Sequence, residues 1–470
     1  MSEGDIYNKF TKAYFEDKMM ALRWLFFARD VRGGLGERRL FRAILKNMAK
    51  DDVDVVKHLA PLVSEYGRYD DLWCLFGTDV DGVILDIIKK QLTDDIANMA
   101  DNKPVSLLAK WLPSVNASSA KTKMDARYIC KNLGMTEREY RKTLSSLRSY
   151  IDIVESKMSA KKWGDIKYET VPSRANLIYN GAFLRNDEER RREYLSKLEK
   201  GETKINAGTL FPHDIVHKYS STTGWYGGVG KYDATLESLW KALPDTVNEC
   251  GNTIVVADGS GSMCCNVGGN SRVTALEVAN ALAIYFAEHS SGDFKDKYIT
   301  FSSRPQLVDF SQCDSLRDKL RVAYSHSECS NTNIEKVFDL ILTTAVNGHM
   351  KQEDMPKNVL IISDMEFDSC ATCGGNGYGL NRPNAKLFKV IKKRFEDAGY
   401  QMPRLVFWNV NSRTGTIPVK ENDLGVALVS GFSTNVCKMV MSGKTDPYEC
   451  LVETLMSDRY DAVEAALKNS

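Results

Sequence analysis

IVVADGSGSM, residues 254–263, joins a short apolar run to a loop of glycines, serines and one aspartate. The run from Thr253 to Ala257 has no polar alternation, which is typical of a central parallel strand covered on both faces. The polar residues begin where this strand should end, and ligands bind at that edge of open α/β sheets. The stretch therefore predicts a doubly wound α/β domain with a site at the end of a central strand.

Three oxygen-bearing side chains alternate in the loop: Asp258, Ser260 and Ser262. The glycines between them let the backbone turn tightly, and three hard oxygens on one loop suit a hard cation such as Mg²⁺. The alternative is a polar strand-to-helix turn with a capping serine. A serine nucleophile is disfavoured, because Asp258 stands where a Gly-x-Ser-x-Gly elbow would have its first glycine.

Two later stretches favour the metal site. Thr332 precedes an amphipathic helical run, residues 337–342, and Asp364 ends a second apolar strand that begins at Asn358. The order Asp-x-Ser-x-Ser, loop threonine and strand-end aspartate resembles the metal-ion-dependent adhesion site of von Willebrand factor type A domains. The sequence from about residue 247 onward is therefore expected to fold as such a domain.

This resemblance implies a role for each of five residues. Ser260 and Ser262 would ligate the divalent cation directly, and Thr332 would ligate it directly or through water. Asp258 and Asp364 would act mostly through water. One coordination position would stay open, often for a carboxylate of a partner protein. A two-metal nuclease would need several clustered carboxylates, and only Asp258 and Asp364 are clearly placed, so the residues indicate binding rather than catalysis. A metal-dependent hydrolase is the remaining alternative.

Length and charge limit the number of domains and the kinds of partner that the chain can have. At 470 residues it is too long for one ordinary core, so two or three domains are expected. The formal charge of +1 gives no argument for nucleic acid over the whole chain. Residues 101–200, however, carry 21 Lys and Arg against 13 Asp and Glu. This surplus is either a solvated helical face or a phosphate-binding face.

Neither a signal peptide nor a membrane span is expected. The first ten residues, MSEGDIYNKF, lack an apolar core, and no run of about 18 apolar residues occurs. The 11 cysteines are an odd number scattered through a long chain, which is typical of an intracellular, reduced protein. We therefore expect a cytoplasmic protein with no membrane partner.

Helical patterns extend from residue 7 to about 220, and one helix is expected over residues 138–156. A further helix is expected in the α/β half, over residues 275–289. RDVRGGLGERRLFR (29–42) and EYGRYDDLW (65–73) together resemble the helical module of the Ro autoantigen (TROVE) family, in which a ring of helical repeats precedes a von Willebrand factor type A domain. A closer resemblance is to a family of domains of unknown function. The stretches that carry it are AKWLPS (109–114), YRKTLSSLR (140–148), VPSRA (171–175), KINAGTLFPHDIV (204–216) and SDMEFD (363–368).

The Ro resemblance implies RNA binding by the helical half. Cations beside aromatic residues suit phosphate contacts and base stacking. The candidate RNA-binding residues are Lys110, Trp111, Lys121, Lys123, Arg127, Arg138, Arg141, Lys142 and Arg148. A solvated helical face is the alternative for this group, and it is what we expect for the run Arg190 to Arg192. Four further arginines are expected to pair inside the module: Arg29, Arg32, Arg38 and Arg39, with Asp30, Glu37, Asp70 and Asp71.

Composition divides the chain into four parts. Residues 1–220 should form an α-helical solenoid with HEAT-like repeats, and the Gly- and Ser-rich stretch after it opens a linker, 221–246. Residues 247–445 should form the von Willebrand factor A-like domain. Residues 446–470 should form a helical tail that packs back on the helical module.

Four cysteines form a candidate second metal site. Cys370 and Cys373 have the spacing of a zinc knuckle, and Cys264 and Cys265 directly follow the magnesium loop. These four could hold a structural zinc. The alternative is that they are packing thiols.

The function expected from these features is non-enzymatic binding. The leading hypothesis is a Ro-like protein that binds RNA through the helical half and Mg²⁺ in the α/β half. The alternative is a protein–protein assembly scaffold, in which the bound metal captures an acidic side chain of a partner. The sequence predicts neither the identity of the ligand nor the oligomeric state.

Overall fold

The fold was obtained as a computed structural model, which describes residues 2–221, 228–247, 252–267, 272–328, 332–364, 385–411, 427–431 and 447–468. The α-helices are α1 Glu3–Glu16, α2 Lys18–Arg29, α3 Arg38–Asp51, α4 Val53–Leu59, α5 Val63–Tyr66, α6 Asp81–Ala100, α7 Leu108–Trp111, α8 Ala120–Asn132, α9 Glu137–Tyr150, α10 Val154–Ser159, α11 Ser173–Asn186, α12 Glu188–Glu199, α13 Pro212–Tyr219, α14 Ala234–Lys241, α15 Ala275–His289, α16 Leu316–Ser325, α17 Ile334–Asn347, α18 Ala385–Asp397, α19 Pro447–Leu455 and α20 Asp461–Lys468.

Short 3-10 helices link several of these elements. They cover Ala60–Leu62, Tyr69–Leu75, Trp163–Asp165, Tyr168–Thr170, Gly261–Cys264, Gly292–Phe294, Gln352–Asp354 and Asp458–Tyr460. The strands of the main sheet are β1 Thr253–Asp258, β2 Lys297–Phe301, β3 Leu307–Asp309, β4 Asn358–Ser363, β5 Arg404–Asn409 and β6 Ala427–Ser430. A separate two-residue ladder pairs Ser220–Ser221 with Gly228–Val229.

The main sheet is mixed and has the strand order β3-β2-β1-β4-β5-β6. β1 pairs in parallel with β2 and with β4, and β5 and β6 continue in parallel, whereas β3 runs antiparallel to β2. This is the strand order of doubly wound α/β folds. Because β1 and β4 are parallel neighbours, their carboxyl ends lie side by side at one edge of the sheet.

The core of the sheet follows from the apolar runs of its central strands. β1 and β4 are buried over their whole length, as strands covered on both faces should be. Ile254 and Val256 of β1 pack with Phe338 of α17 and Phe388 of α18. Val255 points to the opposite face, and α15 also packs against β1. A helical N-terminal half and a C-terminal α/β sheet are thereby confirmed.

The chain divides into two compact units. The helical unit comprises residues 1–167 together with 452–470, and the sheet unit comprises 168–451. The HEAT-like repeats, the von Willebrand factor A assignment and the domain boundaries at 220, 246 and 445 stay predictions. None of the helices in the described residues combines the length and apolar character that crossing a membrane needs.

Within the helical unit, the C-terminal tail packs on the first helices, as expected. Arg23 of α2 is buried and donates hydrogen bonds to the carbonyl of Leu455 at 2.9 Å, to Asp461 at 3.0 Å and to Glu464 at 2.7 Å. These bonds satisfy a charge that would be costly to bury alone. The tail is therefore a structural part of the helical unit.

Buried carboxylates organise the first helices of the same unit. Asp71 has no exposed surface and accepts hydrogen bonds from Arg29 at 2.8 Å and Arg42 at 2.6 Å. The pairing expected of Arg29 is thus confirmed. Asp30, also buried, pairs with Arg459 of the tail, a partner that the sequence did not indicate.

Two expectations about the helices are wrong. Residues 138–156 were expected to be one helix, but α9 ends at Tyr150 and α10 begins at Val154, because Asp152 adopts a left-handed conformation with φ of 62°. Arg191 is fully buried rather than solvated. Its guanidinium hydrogen-bonds Asn176 and Asn180 and contacts the rings of neighbouring aromatic residues.

Candidate functional site

The loop after β1 brings its oxygen atoms together. Asp258 is buried, and its Oδ1 accepts a hydrogen bond from the backbone N–H of Ser260 at 2.9 Å. The hydroxyls of Ser260 and Ser262 lie 3.1 Å apart. The 3-10 turn Gly261–Cys264 holds the second serine in place. Three of the five predicted metal ligands therefore form one compact group.

The end of β4 supplies the second wall of this group. Ser363 is buried, and its hydroxyl donates to Oδ2 of Asp258 at 2.6 Å. Asp364 follows it and is fully buried as well. Burial raises the pKa of Asp258 to about 6, and the negative charge of Asp364 contributes in the same direction. A cation beside these carboxylates would favour their ionised forms.

Thr332 lies just before α17, at the same edge of the sheet. It precedes Asn333, the N-cap of that helix. Its neighbour Lys336 donates to the carbonyl of Ser303, which follows β2. The side chain is buried, and Oγ1 has no hydrogen-bond partner among the described residues. A buried hydroxyl normally has a partner, so this atom fits a ligand position.

The residues present therefore fit a hard divalent cation. Their donors are carboxylate and hydroxyl oxygens, which Mg²⁺ prefers over the nitrogen and sulfur ligands of zinc. The described residues hold no group of three or more His, Cys, Asp or Glu placed to bind a metal. The predicted set is of a different kind, because it combines two carboxylates with three hydroxyls.

The predicted zinc cluster is only partly described. Cys264 and Cys265 are half-buried beside the loop that carries Ser262. Cys370 and Cys373 lie outside the described residues, so the four sulfurs cannot be compared in position. The zinc site stays a prediction.

The candidate RNA-binding residues lie on three consecutive helices of the helical unit. α7 carries Lys110 and Trp111; α8 carries Lys121, Lys123 and Arg127; α9 carries Arg138, Arg141, Lys142 and Arg148. The four on α9 line one groove. Trp111 is half-buried, and the guanidinium of Arg68 lies 4.1 Å from the centre of its ring. Arg68 thus covers a face that a base would need for stacking.

Arg148 of α9 makes structural hydrogen bonds to the segment around α7. Its guanidinium donates to the carbonyls of Ala109 at 2.8 Å and Leu112 at 2.7 Å, and to the hydroxyl of Ser114 at 2.8 Å. Burial lowers its pKa. These bonds tie α9 to α7 and to the segment that follows it. A structural role accounts for this residue, which the sequence grouped with the exposed cations.

The sequence did not indicate a cluster of partly exposed aromatic rings beside α8. Phe76 stacks on Trp73 and lies edge-on to Tyr128 of α8, with ring centres 5.3 and 5.7 Å apart. All three rings retain exposed surface. Tyr128 shares its helix face with Lys121 and Met124, which are four to seven residues away. This periodicity was visible in the sequence, but the contact with Phe76 was not, because it joins distant segments.

Both halves of the chain match families of unknown function. Residues 252–467 match a domain of unknown function, DUF7788. Residues 83–253 match another, DUF2828. The resemblance to domains of unknown function is therefore confirmed, whereas neither match is to a von Willebrand factor type A domain.

Two further proteins are similar over most of their length. The chain is 28% identical to the uncharacterized protein L728 of Acanthamoeba polyphaga mimivirus over 491 residues, which cover 96% of this chain and 82% of that protein. The crystal structure of the Ro (RSR) protein of Deinococcus radiodurans covers 92% of this chain and 93% of its own, with 14% identity and a TM-score of 0.42. That structural likeness is too distant to decide fold or function. The chain is thus similar, in sequence, to proteins whose function is unknown.

Proposed function

We propose that the chain is a non-enzymatic binding protein whose sheet unit holds Mg²⁺ at the carboxyl ends of β1 and β4. The observation that carries this proposal is the hydroxyl of Thr332, which is buried and has no hydrogen-bond partner within the described residues. Leaving such a group without a partner costs about 1–3 kcal/mol. Coordination to a cation would supply the missing contact.

The other proposed ligands suit the same ion. Asp258 and Asp364 would provide the negative charge, and the hydroxyls of Ser260 and Ser262 would complete an oxygen donor set. The resemblance to von Willebrand factor type A domains implies that the cation keeps one position open. That position would accept a carboxylate from a partner protein.

The geometry favours binding over catalysis. The hydroxyl of Ser260 faces the hydroxyl of Ser262, and the carboxylate of Asp258 is held by Ser363 and by the backbone of Ser260. These contacts orient oxygen atoms toward one another. A nucleophilic serine needs both a base facing its hydroxyl and access to the substrate. Ser363 is the serine whose hydroxyl donates to the carboxylate of Asp258, and it is fully buried. A hydrolase would have to show turnover that disappears in Asp258→Ala.

Calorimetric titration of the full chain with MgCl₂ tests the cation. Saturable binding that EDTA reverses is expected for the wild type, and Asp258→Ala should abolish it, because the variant loses one of the two buried carboxylates of the site. Asp293→Ala is the matched control, since Asp293 is an exposed aspartate of the same unit. Equal magnesium heats for Asp258→Ala and the wild type would contradict the proposal.

The alternative function, an assembly scaffold, uses the same cation. Its ligand would be an acidic side chain of a protein partner. Affinity capture from cells in Mg²⁺ and in EDTA tests it. A partner held only in Mg²⁺, and lost in Asp258→Ala, would favour the scaffold. A partner retained in EDTA would exclude capture through the metal.

RNA binding by the helical unit is a second candidate function. It is favoured by the exposed face of α8, where Lys121 lies on the same side as Met124 and Tyr128. Met124 and Tyr128 are 64% and 37% exposed. Exposed rings beside cations suit stacking of bases and contacts to phosphates. The resemblance to the Ro family points the same way.

Fluorescence anisotropy with a labelled single-stranded oligonucleotide tests RNA binding. The affinity should fall steeply between 50 and 200 mM salt, because binding releases counterions. The double variant Lys121→Glu/Lys123→Glu should weaken it about tenfold or more. Lys9→Glu/Lys12→Glu on α1 makes the same charge change and should leave it unaltered. Salt-independent affinity, or equal losses in both variants, would count against a specific face.

A further inference from the structure

A groove of about 830 Å³ lies in the helical unit, lined by α9, α10 and the segment that follows α7. Its volume is within the range of roughly 300–1,000 Å³ that is common for small-molecule pockets. The buried side chains of Tyr140, Leu144 and Ile153 contribute to its lining. This groove is separate from the candidate cation site, which belongs to the other unit.

The lining is strongly cationic. The lining includes six Lys and Arg residues and two Asp residues, a surplus of four positive charges. Lys157 is already paired with Asp152 at 2.6 Å, and Arg148 is held by backbone carbonyls. Four cations have no hydrogen-bond or ion-pair partner among the residues that the structure describes: Arg138, Arg141, Lys142 and Lys162.

Three of these cations crowd one face of α9. Arg138 is followed by Arg141 and Lys142 at spacings of three and four residues, so the side chains are neighbours on the helix surface. They span about 6 Å of the helix axis. Like charges at this spacing destabilise a helix. An anion in the groove would offset that repulsion.

Hydroxyl groups continue the same face toward the end of the helix. Ser145 and Ser149 follow the cations at helical spacing, and Ser156 of α10 also lines the groove. Hydroxyls both donate and accept hydrogen bonds, so they suit the polar part of a ligand beyond its charged end. The groove therefore has a cationic end and a neutral, hydrogen-bonding end.

The walls of the groove are already fixed. The buried hydroxyl of Tyr140 donates to the carbonyl of Pro113 at 3.0 Å. Arg148 bonds to Ala109, Leu112 and Ser114 in the segment around α7. Little ordering of the backbone would be needed on binding, which favours affinity for a small ligand.

We propose that this groove binds a small molecule with two or more linked phosphate groups, such as a nucleoside triphosphate. Arg138, Arg141 and Lys142 would contact the phosphates, and Ser145 and Ser149 would contact the remainder. The compactness of the charge favours this ligand over a nucleic-acid strand, whose successive phosphates require a longer cationic track. The inference depends neither on the cation site nor on RNA binding by α8.

Calorimetric titration of the full chain with inorganic triphosphate, and separately with ATP, tests the groove. Both titrations are done in EDTA at low salt, so that magnesium takes no part. Saturable binding at one site is expected. Arg141→Ala/Lys142→Ala should weaken it about tenfold for each cation removed, because hydrogen bonds to charged groups are lost. Lys9→Ala/Lys12→Ala on α1, two exposed lysines of the same unit, is the control and should bind normally.

Each result decides for or against the groove. Absence of saturable binding for both probes, or equal affinity in Arg141→Ala/Lys142→Ala, would overturn the proposal. An oligonucleotide that binds through Arg141 and Lys142 while triphosphate does not bind would make the groove a strand site instead. Circular dichroism confirms that the double variant is folded. Ser145→Ala/Ser149→Ala should lower the affinity for ATP by less than Arg141→Ala/Lys142→Ala does.

Discussion

At the scale of the single residue, the buried hydroxyl of Thr332 allows a direct test of the cation site. Thr332→Val replaces it by a methyl group of similar size. In EDTA the variant should raise the free energy of unfolding by about 1 kcal/mol, because no unpaired hydroxyl is buried. In Mg²⁺ the wild type should gain stability that the variant lacks. Urea denaturation in the two conditions measures both changes.

Thr300 of β2 provides the matched control. It is also buried in the sheet unit, but its Oγ1 accepts a hydrogen bond from the backbone of Gln306 at 2.9 Å. Thr300→Val should therefore destabilise by about 1–2 kcal/mol, equally with and without Mg²⁺. If Thr332→Val behaved in the same way, the hydroxyl of Thr332 would be a structural group and not a metal ligand.

The carboxyl of Asp258 should make stability depend on pH. Burial, reinforced by the charge of Asp364, raises its pKa to about 6 in the folded chain, against the ordinary aspartate value of 3.8. A folded state that holds a proton more tightly loses stability as the pH rises. Without Mg²⁺, the free energy of unfolding should therefore fall by on the order of 2–3 kcal/mol between pH 4 and pH 7.

The comparison with Asp258→Asn isolates this contribution from other acids. The difference in unfolding free energy between wild type and variant should change with pH in EDTA. With saturating Mg²⁺ the trend should reverse, because the cation binds the ionised carboxylate. A difference that is constant from pH 4 to pH 7 would mean that Asp258 titrates normally.

At the scale of the element, α9 carries two kinds of arginine, one hydrogen-bonded within the fold and one exposed. Arg148 donates three hydrogen bonds to the segment around α7, whereas Arg141 is exposed and has no partner among the described residues. Arg148→Met should lower the free energy of unfolding of the helical unit by about 2–4 kcal/mol, because buried carbonyls lose their donors. Arg141→Met should change it by less than about 0.5 kcal/mol. Thermal unfolding measures both, and equal effects would refute the structural role.

Elements were predictable where a local pattern decides them. β1 and β4 have unbroken apolar runs, which are typical of strands covered on both faces. α15 was expected over the range that it occupies, Ala275–His289. The closeness of Asp258 to the end of β4 was predictable as well, because residues at the ends of adjacent parallel strands meet. The sequence could not distinguish Arg148 and Arg191 from exposed cations, because their hydrogen-bond partners come from distant segments.

The groove between α9 and α10 could not be predicted from the sequence either. The sequence indicated that Arg138, Arg141 and Lys142 are close on a helix. It placed α9 and α10 in one continuous helix, and a continuous helix leaves no groove between them. The left-handed turn at Asp152 creates the second wall. A single residue in an uncommon conformation thus decided whether a set of cations forms a surface or a site.

At the scale of the whole molecule, the sequence of the helical unit is interrupted by the residues of the sheet unit. The chain leaves the helical unit after residue 167 and returns at 452. The returning segment buries Leu455, Tyr460 and Val463. Tyr460 stacks on Tyr66, with ring centres 5.6 Å apart. The helical unit therefore depends on residues that are distant in the sequence from its other helices.

Deletion of residues 456–470 should destabilise the helical unit and spare the sheet unit. The deletion exposes the apolar surface that Tyr460 and Val463 cover, and burial of each such side chain contributes about 1.5–3 kcal/mol. It also removes Arg459, the partner of buried Asp30. Limited proteolysis with mass spectrometry should find new cleavage sites within residues 1–167 only. Magnesium binding, if the cation site is correct, should persist in the deletion variant. New cleavage within 168–451, or loss of magnesium binding together with the tail, would show instead that the two units fold as one.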